Sequence, residues 1–341
     1  MRLTKPALAR VTKSIVFCLV LSALLWGVDW VLRPTAAGLL PWGALAETHS
    51  EVDAIMLGSS RTHASVLPME LWRTSGVTAV DVTCGGQNLS ATLSYLEQAL
   101  ESQDPEVVML EVSMMGSRRI RADLTTAHNN FDDMPRGAPR TMGILRSTPP
   151  TAWPELFFPL ESYHSRWATL MRYDFMPDKR AKRPWDRGSL YLPQSTPMTG
   201  ESTPTVIATA NYQADLTWIR EIARLCNRRG ARLVLFAAPS LDPTYVADRP
   251  VLVRLESDLR EELPNLIYLD LNHRTAEMGI EPATDYKDVA HLNHRGAVKL
   301  SKWLARYLTQ EHGLPDHRTD ELSSRWNQAL VRYDREFVAS W

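Results

Sequence analysis

The chain has 341 residues and a formal net charge of −1, so no basic surplus points to a nucleic-acid partner. Hydrophobic residues make up 44% and charged residues 23%, which supplies a packed core and excludes global disorder. Three cysteines, Cys18, Cys84 and Cys226, show no zinc-type spacing and no obligatory disulfide framework.

Arg2, Lys5, Arg10 and Lys13 make residues 1–13 a basic leader, which the positive-inside rule places in the cytoplasm. The apolar run 14–32, with Trp26 and Trp30 at its far boundary, predicts an uncleaved transmembrane anchor. A cleaved signal peptide is the competing reading. Its small-residue site, Ala44-Leu45-Ala46, lies well past the apolar run. Everything after Leu32 is expected outside the cytoplasm, in the periplasm if the cell is bacterial. Residues 33–50, rich in Pro, Gly and Ala, read as a linker.

From residue 51 strands and helices alternate. Apolar runs predict strands at 54–57, 77–83, 106–112, 231–238 and 265–271. Helical spacing covers 67–74, 89–100, 211–229, 250–262 and 296–308. Gly230 stands where the C-cap of the long helix belongs. The near-continuous apolarity of 106–112 suits a strand covered on both faces. Strict alternation argues for an α/β domain, a three-layer sandwich on a doubly wound parallel sheet, over 51–312.

Residues 115–207 break the rhythm. They are rich in Pro, Arg and aromatics, including Trp153, Phe157, Phe158, Trp167 and Trp185, with one helix expected at 162–172. We read them as an insertion overhanging the carboxyl edge of the sheet. The tail, 313–341, carries a helix at 321–333 whose role is packing.

The chemistry-bearing residues sit at strand ends. Gly58-Ser59-Ser60 follows the first strand, at the sheet edge where open α/β sheets bind ligands. Cys84-Gly85-Gly86 follows the second. Asp288 and His291, three apart just before the last helix, point into one site from a single turn. There the carboxylate can fix the imidazole tautomer, and the imidazole can take a proton from a serine. A nucleotide-type phosphate cradle is disfavoured, because the first loop lacks P-loop spacing.

Together, Gly58-Ser59-Ser60, Gly86 and the Asp288-x-x-His291-Leu292-Asn293 block with Gly296 resemble the SGNH/GDSL hydrolase superfamily. Within it they are similar to the membrane-anchored envelope branch that includes alginate O-acetyltransferases and teichoic-acid D-alanyl transfer proteins. The resemblance implies a flavodoxin-like, SGNH-type fold. It implies Ser60 as nucleophile, with Ser59 as the neighbouring alternative, His291 as general base and Asp288 as its orienting carboxylate. It implies oxyanion donors at the Ser60 and Gly86 N–H groups. The family's third-block Asn is missing, since that position reads Glu111-Val112-Ser113-Met114-Met115-Gly116. Four readings stay open: a replacement donor such as Asn88 or Ser113, two sufficient backbone donors, a weak hydrolase better suited to transfer, or a fold retained without chemistry.

Arg61 and His63, just after the nucleophile, and His164 in the insertion are candidate substrate contacts. His294 reads as a surface residue and Cys84 as a small buried filler. The expected activity is O-acyl transfer or hydrolysis, most simply of acetyl, on a cell-envelope polysaccharide. The expected partners are the inner membrane, that polysaccharide and a polytopic membrane acyltransferase, with no metal or other cofactor. The alternatives are a non-catalytic glycan-binding or assembly module and a plain lipid esterase.

Overall fold

The structure is a computed structural model that describes residues 5–34, 41–48, 50–113, 115–116, 121–176, 186–189, 192, 209–242, 250–260, 262–263 and 266–338. Most of 177–208, Trp185 included, lies outside the described residues, as do Met114 and Asn265 at two expected boundaries.

In chain order, helix α1 is Lys5–Leu32 and α2 is Pro41–Thr48. Strand β1 (Ala54–Leu57) leads to α3 (Ser60–Ser65) and α4 (Pro68–Ser75). Strand β2 (Ala79–Asp81) precedes α5 (Leu89–Ala99), and β3 is Val107–Glu111. Helices α6 (Leu124–Phe131), α7 (Ala138–Ser147), α8 (Trp153–Phe157) and α9 (Leu160–Tyr163) follow. Then come α10 (Thr209–Arg229), β4 (Arg232–Ala237), α11 (Pro250–Arg260) and β5 (Ile267–Asp270). Helices α12 (Thr275–Met278), α13 (His294–His312) and α14 (Ser323–Tyr333) close the chain.

The chain forms two compact units. One comprises Met1–Ala37 and Thr151–Ala181, the other Gly38–Pro150 and Lys182–Trp341. The larger unit is α/β. Its five strands are all parallel, in the order β2-β1-β3-β4-β5. The direction of winding reverses between β1 and β3, so their carboxyl ends flank a switch-point crevice. Alternate residues Ala54, Met56, Val107, Met109, Val234 and Phe236 share a core with Leu300, Leu304 and Leu308 of α13. Their strand neighbours Ile55, Leu57, Val108, Leu110 and Leu235 are fully buried on the opposite face, where α10 packs against β4 and α5.

The segment expected as a linker contains α2, which belongs to the larger unit. Ala44 and Leu45 are buried, Trp42 lies against Tyr95 at 4.7 Å, and Gln103 Nε2 donates to Leu45 O. Small residues there serve close packing, a demand that looks like low-complexity linker in sequence. The expected insertion is likewise divided. Residues 121–150 belong with the sheet, α7 packing on α5, whereas 151–181 belong with α1. The helix expected at 162–172 is broken by extended backbone at Leu170 and Met171.

In the smaller unit, Ala9–Leu32 of α1 is long and apolar enough to cross a membrane. At about 1.5 Å per residue it exceeds the roughly 30 Å of a hydrocarbon core. The helix begins at Lys5, so Arg10 and Lys13 extend it rather than precede it.

In the larger unit, the tail is part of the core. Trp326 and Tyr333 are fully buried against Met69 and Trp72, and the two indoles stack at 5.4 Å.

Candidate active site

Strand β1 ends at Leu57 and the chain turns at Gly58, φ 145°. A Cβ there would meet Thr62 Oγ1 at 2.2 Å and Glu111 Cβ at 2.8 Å, so the backbone conformation and the space both require glycine. Thr62 anchors the turn from within, its hydroxyl donating to Leu57 O at 3.1 Å. Ser59 is the N-cap residue of α3 and Ser60 its first residue. The turn therefore lifts Ser60, half-buried, out of the sheet's carboxyl edge.

The opposing wall is the loop before α13. Asp285 is fully buried and pairs with Lys299 Nζ at 2.6 Å, with Arg295 at 3.5 Å. Its Oδ2 accepts the Glu281 N–H at 2.7 Å, and its carbonyl accepts the Asn293 N–H at 3.0 Å. Asn293 caps α13, accepting from the Gly296 N–H at 3.1 Å, while its Nδ2 donates to Thr284 O at 2.8 Å. Gly296 approaches so closely that a Cβ would sit 2.3 Å from Asp285 O. Lys287 N–H donates to His291 O at 2.8 Å, closing a tight turn that presents Asp288 and His291 on one side.

These two walls bring three side chains together. His291 Nε2 lies 2.9 Å from Ser60 Oγ. His291 Nδ1 lies 2.9 and 3.1 Å from the two Asp288 carboxylate oxygens. Asp288 Oδ1 also accepts the Ala290 N–H at 2.8 Å and the His291 N–H at 3.0 Å. Partial burial opposes the Asp288 charge. The two amides and the imidazole outweigh it and hold the carboxyl below its usual range. An ionised Asp288 assigns the proton to Nδ1 and leaves the Nε2 lone pair facing the Ser60 hydroxyl. The arrangement can take the hydroxyl proton as Ser60 Oγ attacks an electrophile.

Beside Ser60, at the β1/β3 switch point, Gly58, Ser59, Gln87, Asn88, Glu111 and Asp215 line a small cleft. Glu111 is buried at the end of β3 and accepts the Ser113 N–H at 2.9 Å. A larger cavity of about 550 Å³ runs along β5 and α13, lined by Trp303 and Tyr307 among others. Neither space is lined by Ser60, His291 or Asp288, but the small cleft adjoins Ser60 through its chain neighbours Gly58 and Ser59.

The other expected site residues fall differently. Gly86 is exposed in the turn after β2, φ 72°, next to the cleft-lining Gln87 and Asn88. Asn88 uses its Oδ1 to cap α5, accepting from the Ala91 N–H at 3.0 Å. The Ser113 hydroxyl accepts from Arg61 at 3.1 Å. Arg61 and His63 are buried, at 2% and 5% exposure, so neither is presented on the surface as a substrate contact. Burial pushes the His63 imidazole down to about 4, against a hydrogen bond that the ring donates to the Gly188 backbone. His164 is exposed in the other compact unit, its Nδ1 2.6 Å from Glu161 O. His294, expected at the surface, is buried against the rings of Tyr333 and Phe337. Burial lowers it to about 4. The tail covers it, which helix-start position alone does not reveal.

Sequence reasoning missed the pinning pair Asp285–Lys299 and the cleft carboxylates Glu111 and Asp215. Glu111 carried a signal, being an acid that ends an otherwise apolar strand. Nothing in the local sequence around Asp285 and Lys299 marks them as a buried pair. Among the described residues, no group of three or more His, Cys, Asp or Glu is placed to hold a metal ion. In comparisons with known proteins, the chain matches no family model and no curated sequence.

Proposed function

We propose that this protein is a membrane-anchored, extracytoplasmic serine enzyme of the SGNH type that transfers or removes an O-acyl group, acetyl in the simplest case, on a cell-envelope polysaccharide. The observation that carries the reading is His291 Nε2 at 2.9 Å from Ser60 Oγ, with Asp288 on the other ring nitrogen. Nucleophile, base and orienting carboxylate in this relation are the minimum for acyl transfer through a serine ester. The strand order, with Ser60 beyond β1 and the histidine loop before the last core helix, agrees with the resemblance noted in the sequence.

In the proposed reaction, Ser60 Oγ attacks the acyl carbonyl and its proton moves to His291 Nε2. Asp288 stabilises the imidazolium. The carbonyl oxygen takes up the negative charge, facing the Ser60 N–H, with the Gly86 N–H and the Asn88 amide as further donors. Collapse breaks the bond to the leaving alcohol, which departs with the proton from His291. The acyl group is now an ester on Ser60. A sugar hydroxyl, or water, gives its proton to His291 and attacks the ester, and Ser60 is regenerated. An anchor on α1 holds the domain beside a polymer or a polytopic acyl donor in the same membrane.

The test is labelling of the full chain with a fluorophosphonate and with an activated acetyl ester, followed by mass mapping. An adduct on Ser60, absent in Ser60→Ala, supports the reading. A folded protein that forms no adduct at Ser60 overturns catalysis and leaves a binding module. Polymer acetylation measured with and without Ser60 then separates transfer from a lipid esterase.

A further inference from the structure

Outside α1, the exposed large hydrophobic side chains are concentrated in one place. Among the described residues they are Phe158, Trp167, Met171, Tyr173, Phe175 and Met176, with only Met142 and Val331 elsewhere. Phe158 and Trp167 are 72% and 73% exposed. So dense a set on a water-facing surface marks a contact with something apolar.

The same segment is fastened to the end of α1. Arg166 Nη1 donates to Leu32 O at 2.5 Å, one of the carbonyls that a helix terminus leaves without an intrahelical partner. Its Nη2 reaches Asp174 at 2.9 Å. Asp174 is 1% exposed and accepts the Met171 N–H at 3.0 Å. Helix α9 and the turns His164–Thr169 and Arg172–Phe175 pack along α1. The apolar side chains are therefore held at the level of residues 29–33, where the buried Asp29–Arg33 pair and Trp30 mark the end of the apolar run. Charges and tryptophans at one level of a spanning helix place that level at a bilayer interface. The exposed Arg172 lies among the apolar side chains, as a group facing lipid phosphate should.

We propose that residues 158–176 are an interfacial foot. Their aromatic and methionine side chains enter the headgroup–acyl boundary of the leaflet where α1 ends, so the protein meets the membrane at two sites rather than one. The occupant of this surface is lipid. The inference rests on reading α1 as a membrane span and is independent of the chemistry at Ser60. The foot fixes the rotation and tilt of the segment joined to α1, which a single helix leaves free.

The experiment uses the full chain in phosphatidylcholine–phosphatidylglycerol vesicles, with Cys18→Ser and Cys84→Ser. Cys226 is retained, because burial pushes its thiol up to about 12 and keeps it unreactive. Nitroxide labels are placed in turn by Trp167→Cys, Phe175→Cys, Met142→Cys and Leu24→Cys, and their collision rates with oxygen and with a water-soluble nickel chelate are compared. The expected result is an oxygen-to-nickel ratio several-fold higher at 167 and 175 than at 142, at a depth of roughly 5–10 Å. A ratio at 167 and 175 equal to that at 142 overturns the foot. Labels there shielded from both reagents overturn lipid as the occupant and indicate a protein partner or a second copy. A water-like ratio at 24 overturns the membrane reading of α1, and the foot with it.

Discussion

Ser60 and His291 are 231 positions apart in the chain, yet Oγ and Nε2 stand 2.9 Å apart. Neither residue reaches the other through its own local structure. The serine depends on a glycine turn that tolerates no Cβ, and the histidine on a loop tied to a buried carboxylate. The relation therefore predicts effects both at the two side chains and at the residues that hold them.

At the side chains, the proposed mechanism predicts that Ser60→Ala removes the nucleophile and abolishes ester formation. Asp288→Asn keeps the shape but loses the charge that fixes the Nδ1 proton, and kcat is expected to fall by about 10²–10⁴. Ser59→Ala leaves kcat within a few-fold. The readout is burst and steady-state hydrolysis of an activated acetyl ester. Loss of activity in Ser59→Ala with retention in Ser60→Ala reverses the assignment.

Behind the histidine, Lys299→Met strips the main partner from Asp285, which is 0% exposed. An uncompensated buried charge costs about 3–5 kcal/mol, and Arg295 at 3.5 Å keeps the loss toward the lower end. Urea unfolding measures it. Asp285→Asn combined with Lys299→Met recovers part of the loss, because the stranded charge is gone.

Gly296→Ala drives a methyl toward Asp285 O, a backbone atom 2.3 Å from the ideal Cβ position. The turn carrying His291 must shift. Overpacking of this kind costs about 1–3 kcal/mol. Activity falls more than stability explains, which the ratio of kcat loss to urea midpoint shift detects.

Acid acts on stability through buried histidines. His63 and His294 are each lowered to about 4 by burial. An unfolded imidazole takes up its proton near pH 6.5, and the folded one refuses it until about pH 4. Stability therefore falls as pH drops through that window, by about 3 kcal/mol per histidine at its lower end. His317 acts in the opposite sense. Burial disfavours its charge, but hydrogen bonds to Asp320 and Asp53 outweigh burial and raise it. Its contribution is complete below pH 6.5 and is lost as pH rises through the folded value. Urea midpoints measured from pH 4 to 9 should show an acid decline that is shallower in His63→Gln, and a loss on the alkaline side that disappears in His317→Gln.

The tail is structural. Trp326 is fully buried, stacked on Trp72 at 5.4 Å, with the Arg187 guanidinium 4.5 Å from its ring centroid. Trp326→Ala should cost about 3–5 kcal/mol. Truncation after Gly313 should leave no cooperative unfolding transition. A truncated chain that unfolds normally would contradict this packing.

Local pattern was enough for several features. Periodicity located the five strands and the main helices, because strand and helix repeats are properties of neighbouring residues. The apolar run of α1 was legible for the same reason. Asp288 and His291 were legible as a pair because three residues separate them. Ser60 was singled out by its place after a strand and by a resemblance. Tertiary structure alone decided whether its oxygen meets the imidazole, since that distance depends on sheet order and on two unrelated turns. It also decided that Arg61, His63 and His294 are interior and that α2 is core rather than linker. The division of 121–150 from 151–181 was likewise a tertiary outcome. Burial is a property of what covers a residue, and the covering segments, such as the tail over His294, lie far away in sequence where no local repeat announces them.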